Sequence, residues 1–253
     1  MKKILAAVVL VLAAVIIVSA SRNSPGVILS RIGADKLKVD AKELVYKVYL
    51  FGALPAGEAL IADKGVDIFD RRDAYHLSAL AKGTELISKI YPFEAVMDSY
   101  LDPGTFLPQV FKQTLRTKDK ETVKEVSYDQ KNGVMRIADV KRTIFPETYE
   151  PLSALYKLRR MDMNSVSAFD LNINTNQKNY AFTGTITKEE VRIKGETQRL
   201  FRLKGKIFRR DKNPYHQSHL EIIFLDNPQK TPLYIKVFAS GALLTVRLTD
   251  SRN

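Results

Sequence analysis

From residue 43 onward, apolar and polar side chains alternate in short runs. Leu44, Tyr46, Val48 and Leu50 share one side of "ELVYKVYL", and Phe169, Leu171 and Ile173 alternate with Asp170, Asn172 and Asn174. Tyr180, Phe182 and Ile186 repeat the pattern, as do Leu233, Ile235 and Val237, and then Ala242, Leu244, Val246 and Leu248. A period of two with one apolar face predicts antiparallel strands that are dry on one side and wet on the other. Turn signals separate the runs: Pro55 with Gly57, Asp102-Pro103-Gly104, and Asn132-Gly133, the last a strong two-residue hairpin signal. About a dozen strands with short turns predict a mostly β protein. Its expected form is an antiparallel curved sheet or incomplete β-barrel, because a long flat sheet would leave adhesive edges.

One segment breaks the alternation. In "EPLSALYKLRR", residues 150–160, Leu152, Leu155 and Tyr156 fall at the i, i+3, i+4 spacing of a helix, with Ala154 and Leu158 beside them. Pro151 suits the first helical position, where its missing N–H has no intrahelical partner. Glu150 complements the positive end of the helix dipole, and Lys157, Arg159 and Arg160 the negative end. So short a helix is not stable alone in water. It is expected to pack on the apolar face of the sheet.

The chain begins with Met1-Lys2-Lys3 and an unbroken apolar or small run from Ile4 to Ala20, ending Val18-Ser19-Ala20. This is the pattern of a signal peptide or an N-terminal membrane anchor. Both readings place the remainder across the membrane, periplasmic or anchored to the inner membrane and facing the periplasm. Residues 21–41 read as a tether and 42–253 as a single β-rich domain. No cysteine is present in the 253 residues, which excludes disulfides, thiolate nucleophiles and lipid attachment at a cysteine. The formal charge is +12. Outside the cytoplasm such an excess meets anionic lipid headgroups or acidic polymers, and nucleic acid is not an expected partner.

Several phrases, in order, resemble the bacterial exported family known as domain of unknown function 3108: "LVYKVYLFGALPAGEA" (44–59), "DSYLDPGTFLPQVF" (98–111), "VSYDQKNG" (126–133), "EPLSALYKLR" (150–159), "EIIFLDNPQKTPLYIKV" (221–237) and "GALLTVRLT" (241–249). The resemblance implies export and a β-rich fold, and brings no reaction with it. Glu150 stands where the family pattern has aspartate, and Phe224 where tryptophan is common.

Candidate chemistry is sparse. His216 and His219 lie three apart, so a strand would point them to opposite faces, and no metal site is expected. His76 stands alone in a strand run and reads as structural. No G-x-S-x-G or phosphate-binding glycine loop occurs, and no catalytic residue or cofactor is assigned. The most suggestive polar segment is 198–212, where Arg202, Lys204 and Lys206 form a basic row opposite Phe201, Leu203 and Ile207. The row suits anionic headgroups, and equally protects an edge strand from aggregation. The leading expectation is a noncatalytic envelope protein that binds a lipid or other amphiphile. Acyl chains would lie against Leu152, Leu155 and Tyr156, and the headgroup near Arg202, Lys204 and Lys206. The alternatives are an envelope scaffold that binds a protein or anionic polymer through its basic face and, more remotely, an envelope hydrolase.

Overall fold

The computed structural model describes residues 41–193, 196–211, 217–239 and 241–253. The apolar run, residues 21–40 of the tether and His216 lie outside the described residues.

The expected β architecture is what forms. Fifteen strands make one sheet: β1 (Glu43–Leu50), β2 (Leu54–Phe69), β3 (Arg72–Gly83), β4 (Phe93–Leu101), β5 (Pro108–Thr117), β6 (Glu121–Asp129), β7 (Val134–Ile137), β8 (Val140–Thr143), β9 (Thr148–Tyr149), β10 (Ala168–Thr175), β11 (Lys178–Ile193), β12 (Glu196–Arg209), β13 (Ser218–Leu225), β14 (Pro232–Ala239) and β15 (Ala242–Arg252). Among the described residues two helices interrupt them, α1 (Glu85–Ile90) and α2 (Pro151–Arg160). The spatial order runs from β8 back to β1, then β15 down to β9, so the first and last strands pair at the centre of the sheet. Every neighbouring pair is antiparallel except β9 with β10.

The first turn falls earlier than Pro55 and Gly57 suggest. The chain reverses at Phe51-Gly52-Ala53, with Phe51 and Gly52 at φ of 53° and 75°. Gly57 instead lies in β2, where a Cβ would meet the Lys82 carbonyl at 2.6 Å. The Asn132-Gly133 reversal is where the sequence places it, between β6 and β7.

Register irregularities at Val45/Tyr46, Val48/Tyr49, Asp63/Gly65, Tyr100/Leu101 and Ile223/Phe224 bend the sheet. A second device sits in the long β11–β12 pair. Gly184 and Gly205 lie directly opposite each other, and a Cβ on Gly184 would meet the Lys204 carbonyl at 2.2 Å and the Phe169 ring at 2.7 Å. Phe169 and Phe182 cover this gap edge to face, with centroids 4.8 Å apart. Two strands without side chains at one level can approach and curl, and the rings restore the lost packing.

Among the described residues the sheet does not close through backbone pairing. Side chains bridge its two edges. Gln130, just beyond β6, donates to the carbonyl of Thr148 in β9 at 2.8 Å and accepts from the Thr148 N–H at 3.3 Å. Asn172 of β10 donates to the Pro146 carbonyl at 2.7 Å, and Asn179 of β11 to the Thr143 carbonyl at 2.8 Å. These bonds satisfy edge groups that would otherwise face water or another chain.

Helix α2 fills the resulting concavity. Leu152 and Tyr156 pack with Leu77, Ala79, Met97 and Leu101 of β3 and β4. Ala154 and Leu158 pack with Phe169, Leu171, Phe182 and Leu203 on the facing wall of β10 to β12. The sheet wraps the helix from both sides, and Leu158 retains 1% exposure. Phe224, at the family's tryptophan position, is fully buried in the second cluster.

Candidate functional site: a groove along helix α2

The helix begins at a buried carboxylate. Glu150 accepts from the Leu152 N–H at 2.7 Å and the Ser153 N–H at 2.6 Å, while Ser153 Oγ accepts from the Glu150 N–H at 3.1 Å. This is a capping box with the acidic residue at the cap and serine at the third helical position. Ser99 Oγ of β4 donates a fourth bond at 2.7 Å. Burial pushes the Glu150 carboxyl above its ordinary value, and the bonds from Ser99, Leu152 and Ser153 pull in the other direction. Every oxygen is committed, so Glu150 positions the helix and has no lone pair turned toward solvent chemistry.

The C-terminal half is different. Leu155 is half-buried and Arg160 exposed. Arg159 Nε donates to the Gln229 carbonyl at 3.0 Å, tying the helix to the 226–231 loop. The Arg160 guanidinium lies 4.0 Å from the centre of the Phe106 ring, a cation–π contact. Tyr75, Phe106 and Tyr156 gather at this end, with centroids 5.1 to 5.7 Å apart. The Tyr75 hydroxyl donates to Asp63 at 2.6 Å, and burial together with that bond raises its pKa.

Between the helix and the floor of the sheet runs a shallow groove whose water-accessible volume is about 10 Å³, room for about one water. Leu152, Leu155 and Tyr156 form its helical wall; Leu44, Ile61 and Leu77 form its floor. Lys42, Asp63 and Arg159 stand at its rim. The wall is apolar and the rim carries two cations and one carboxylate, a layout suited to an amphiphile.

The structure brings together three of the residues singled out in the sequence and separates them from the other three. Leu152, Leu155 and Tyr156 border the groove. Arg202, Lys204 and Lys206 alternate on β12 with Phe201 and Leu203, which face the helix, so the basic row lies on the outer face of the sheet. Arg202 is also engaged: Nε and Nη2 donate to Glu189 at 2.5 and 3.0 Å, and Nη1 donates to Glu221. The bonds to Glu189 raise its pKa despite partial burial. Lys204 and Lys206 remain exposed, Lys204 opposite Glu221 and Lys206 opposite His219. The cations at the groove are instead Lys42 and Arg159.

No group of three or more His, Asp or Glu residues with metal-binding geometry occurs among the described residues. His76 bonds to Asp98 at 2.9 Å and stacks on Tyr100 with centroids 4.6 Å apart, on the sheet face away from the groove.

The profile of the family described as "Protein of unknown function (DUF3108)" matches residues 45–248. The chain belongs to this family. A search of curated proteins finds no match for this DUF3108 chain. Among solved structures it is similar to a β-barrel-like protein of domain of unknown function DUF1849 from Brucella abortus, with 9% identity and a TM-score of 0.57 over 83% of this chain and 96% of the other. That likeness concerns the fold alone. A protein from Parabacteroides distasonis described as "a putative lipoprotein" aligns at 9% identity and a TM-score of 0.35, covering 85% of this chain and 96% of its own.

Proposed function

We propose that this DUF3108 protein is a noncatalytic cell-envelope protein that holds an amphiphile along helix α2. The reading rests on one observation: a shallow groove lined by Leu152, Leu155 and Tyr156 over Leu44 and Ile61, of which Leu155 and Ile61 are only half-buried, also has the cations Lys42 and Arg159 in its lining. An acyl chain lies in the groove and its anionic headgroup meets Lys42 and Arg159. The enclosed space is about 10 Å³, room for about one water, so a single acyl chain lies along the open side of the groove or enters as α2 shifts from the sheet, and a two-chain lipid is not engulfed. Each buried methylene contributes about 0.8 kcal/mol, so a chain of moderate length binds without a deep cavity. The apolar run Ile4–Ala20 supports delivery across, or attachment to, the inner membrane.

The test is to purify the protein from its own envelope, wash it at high salt, and combine native mass spectrometry with lipid analysis. Retention of about one amphiphile per chain, lost in Leu155→Asp, supports the reading. A bare intact chain contradicts it and turns attention to the outward Lys204 and Lys206 as a surface for a protein or anionic polymer.

A further inference from the structure

Strands β2 and β3 run past their neighbours. Pairing of β1 with β2 stops at Ala62, and pairing of β3 with β4 stops at Tyr75, whereas β2 and β3 stay paired out to Phe69 and Arg72. The result is a two-stranded ribbon closed by Asp70 and Arg71, both at positive φ, 48° and 62°. Its two faces are treated differently. The outer face is pinned: Phe69 stacks on Tyr100 with centroids 3.9 Å apart, Tyr100 stacks on His76, and Lys112 lies 4.9 Å from the Phe69 ring centre. On the other face Val66 and Ile68 stand 61% and 74% exposed. They share that face with Tyr75, which touches Tyr156 and Phe106 at the end of the groove.

A ribbon anchored by three rings on one side has no packing reason to carry two large aliphatic side chains on the other. The occupant is indicated by where the remaining chain joins. The Asp63 N–H, at the base of the ribbon, donates to the Lys42 carbonyl at 2.8 Å. The forty residues preceding Ala41, with the apolar run Ile4–Ala20, therefore attach at this same rim. The stretch from Ala20 to Ala41 spans at most about 70 Å when fully extended. We propose that the tip of the β2–β3 ribbon docks on the lipid bilayer through Val66 and Ile68, turning the rim of the groove toward the membrane from which an amphiphile would enter. The inference rests on the amphiphile reading for its purpose, though its test is independent of it. The charged residues of the tip, Lys64, Arg71 and Arg72 against Asp67, Asp70 and Asp73, balance, so docking is driven by apolar insertion and depends little on salt.

The chain has no cysteine, so single labels are placed without background. Ile68→Cys and Ile90→Cys, each carrying an environment-sensitive fluorophore, are compared in the full chain reconstituted into phosphatidylethanolamine–phosphatidylglycerol vesicles. Ile90 is a matched control, 79% exposed at the opposite end of β3. Docking predicts that spin-labelled lipids quench position 68 at least threefold more than position 90, and that aqueous iodide quenches it less. Equal quenching by iodide at both positions overturns the proposal. So does a label at 68 shielded from both quenchers, which would mark a protein contact. Bound amphiphile is assayed on the same preparation: an inserted tip on a bare domain keeps docking and discards the groove reading, and a loaded domain with a water-exposed tip does the reverse.

Discussion

The two ends of helix α2 are built to opposite specifications. At the N-terminal end Glu150 and Ser153 are each 1% exposed, and the carboxylate takes bonds from two backbone amides and Ser99. At the C-terminal end Lys157, Arg159 and Arg160 lean on aromatic rings and a loop carbonyl beside an open groove. The first end is an anchor whose groups are used up internally. The second retains unburied apolar surface and positive charge. A carboxylate is the kind of group that suggests catalysis, yet here it fixes a helix, and the surface proposed for binding lies toward the other end.

The largest expected effect is at the anchor. Glu150→Ala leaves two helix N–H groups and the Ser99 hydroxyl without their partner in a buried site, and should lower stability by about 3 kcal/mol in urea denaturation. A loss below about 1 kcal/mol would mean that the helix is held by its apolar faces alone. Glu150→Gln sharpens the point through pH. The folded-state pKa of Glu150 is raised above 4.5, so the folded chain holds this proton to higher pH than the unfolded chain. The associated stability is fully present below about pH 4.5 and is lost as pH rises through the folded value, about 1.4 kcal/mol per unit of separation. Gln does not titrate. The stability of the wild type relative to Glu150→Gln should therefore fall as pH rises above about 4.5, and a constant difference would refute the buried-charge account.

At the other end the effects reverse in kind. Leu155→Ser removes a half-buried side chain and should cost about 1 kcal/mol or less, yet abolish amphiphile retention in native mass spectrometry. Retention with unchanged stability would move the binding site elsewhere. The smallest effect belongs to the outer face: Lys204→Gln with Lys206→Gln should change stability by less than about 0.5 kcal/mol and leave retention unaltered. Loss of retention in that double variant would return the headgroup to the basic row.

Much of the fold was legible because one-faced strands write their burial into a period of two. The helix limits followed from Pro151 and the spacing of Leu152, Leu155 and Tyr156, and the Asn132-Gly133 reversal from turn chemistry. What escaped depends on pairing between distant strands. Gly184 opposite Gly205 is visible only once β11 and β12 are in register. The ribbon beyond Asp63 escaped because Gly65 interrupts the alternation of β2, and Asp70-Arg71 is not a residue pair that favours positive φ. The groove was half legible. Helical spacing grouped Leu152, Leu155 and Tyr156, which line it, but the alternation that defines the basic row on β12 also places that row on the face opposite Phe201 and Leu203, hence away from the helix. Lys42 and Arg159 carry no distinctive pattern, and only the tertiary structure places them together.

The central claim is that the groove beside the C-terminal half of α2 holds an amphiphile, and bound mass tests it most directly. Native mass spectrometry of the envelope-purified, salt-washed chain should show a complex of about one amphiphile per protein that Leu155→Asp eliminates and Lys204→Gln does not. A protein at its bare mass, or a bound lipid indifferent to Leu155, would contradict the account.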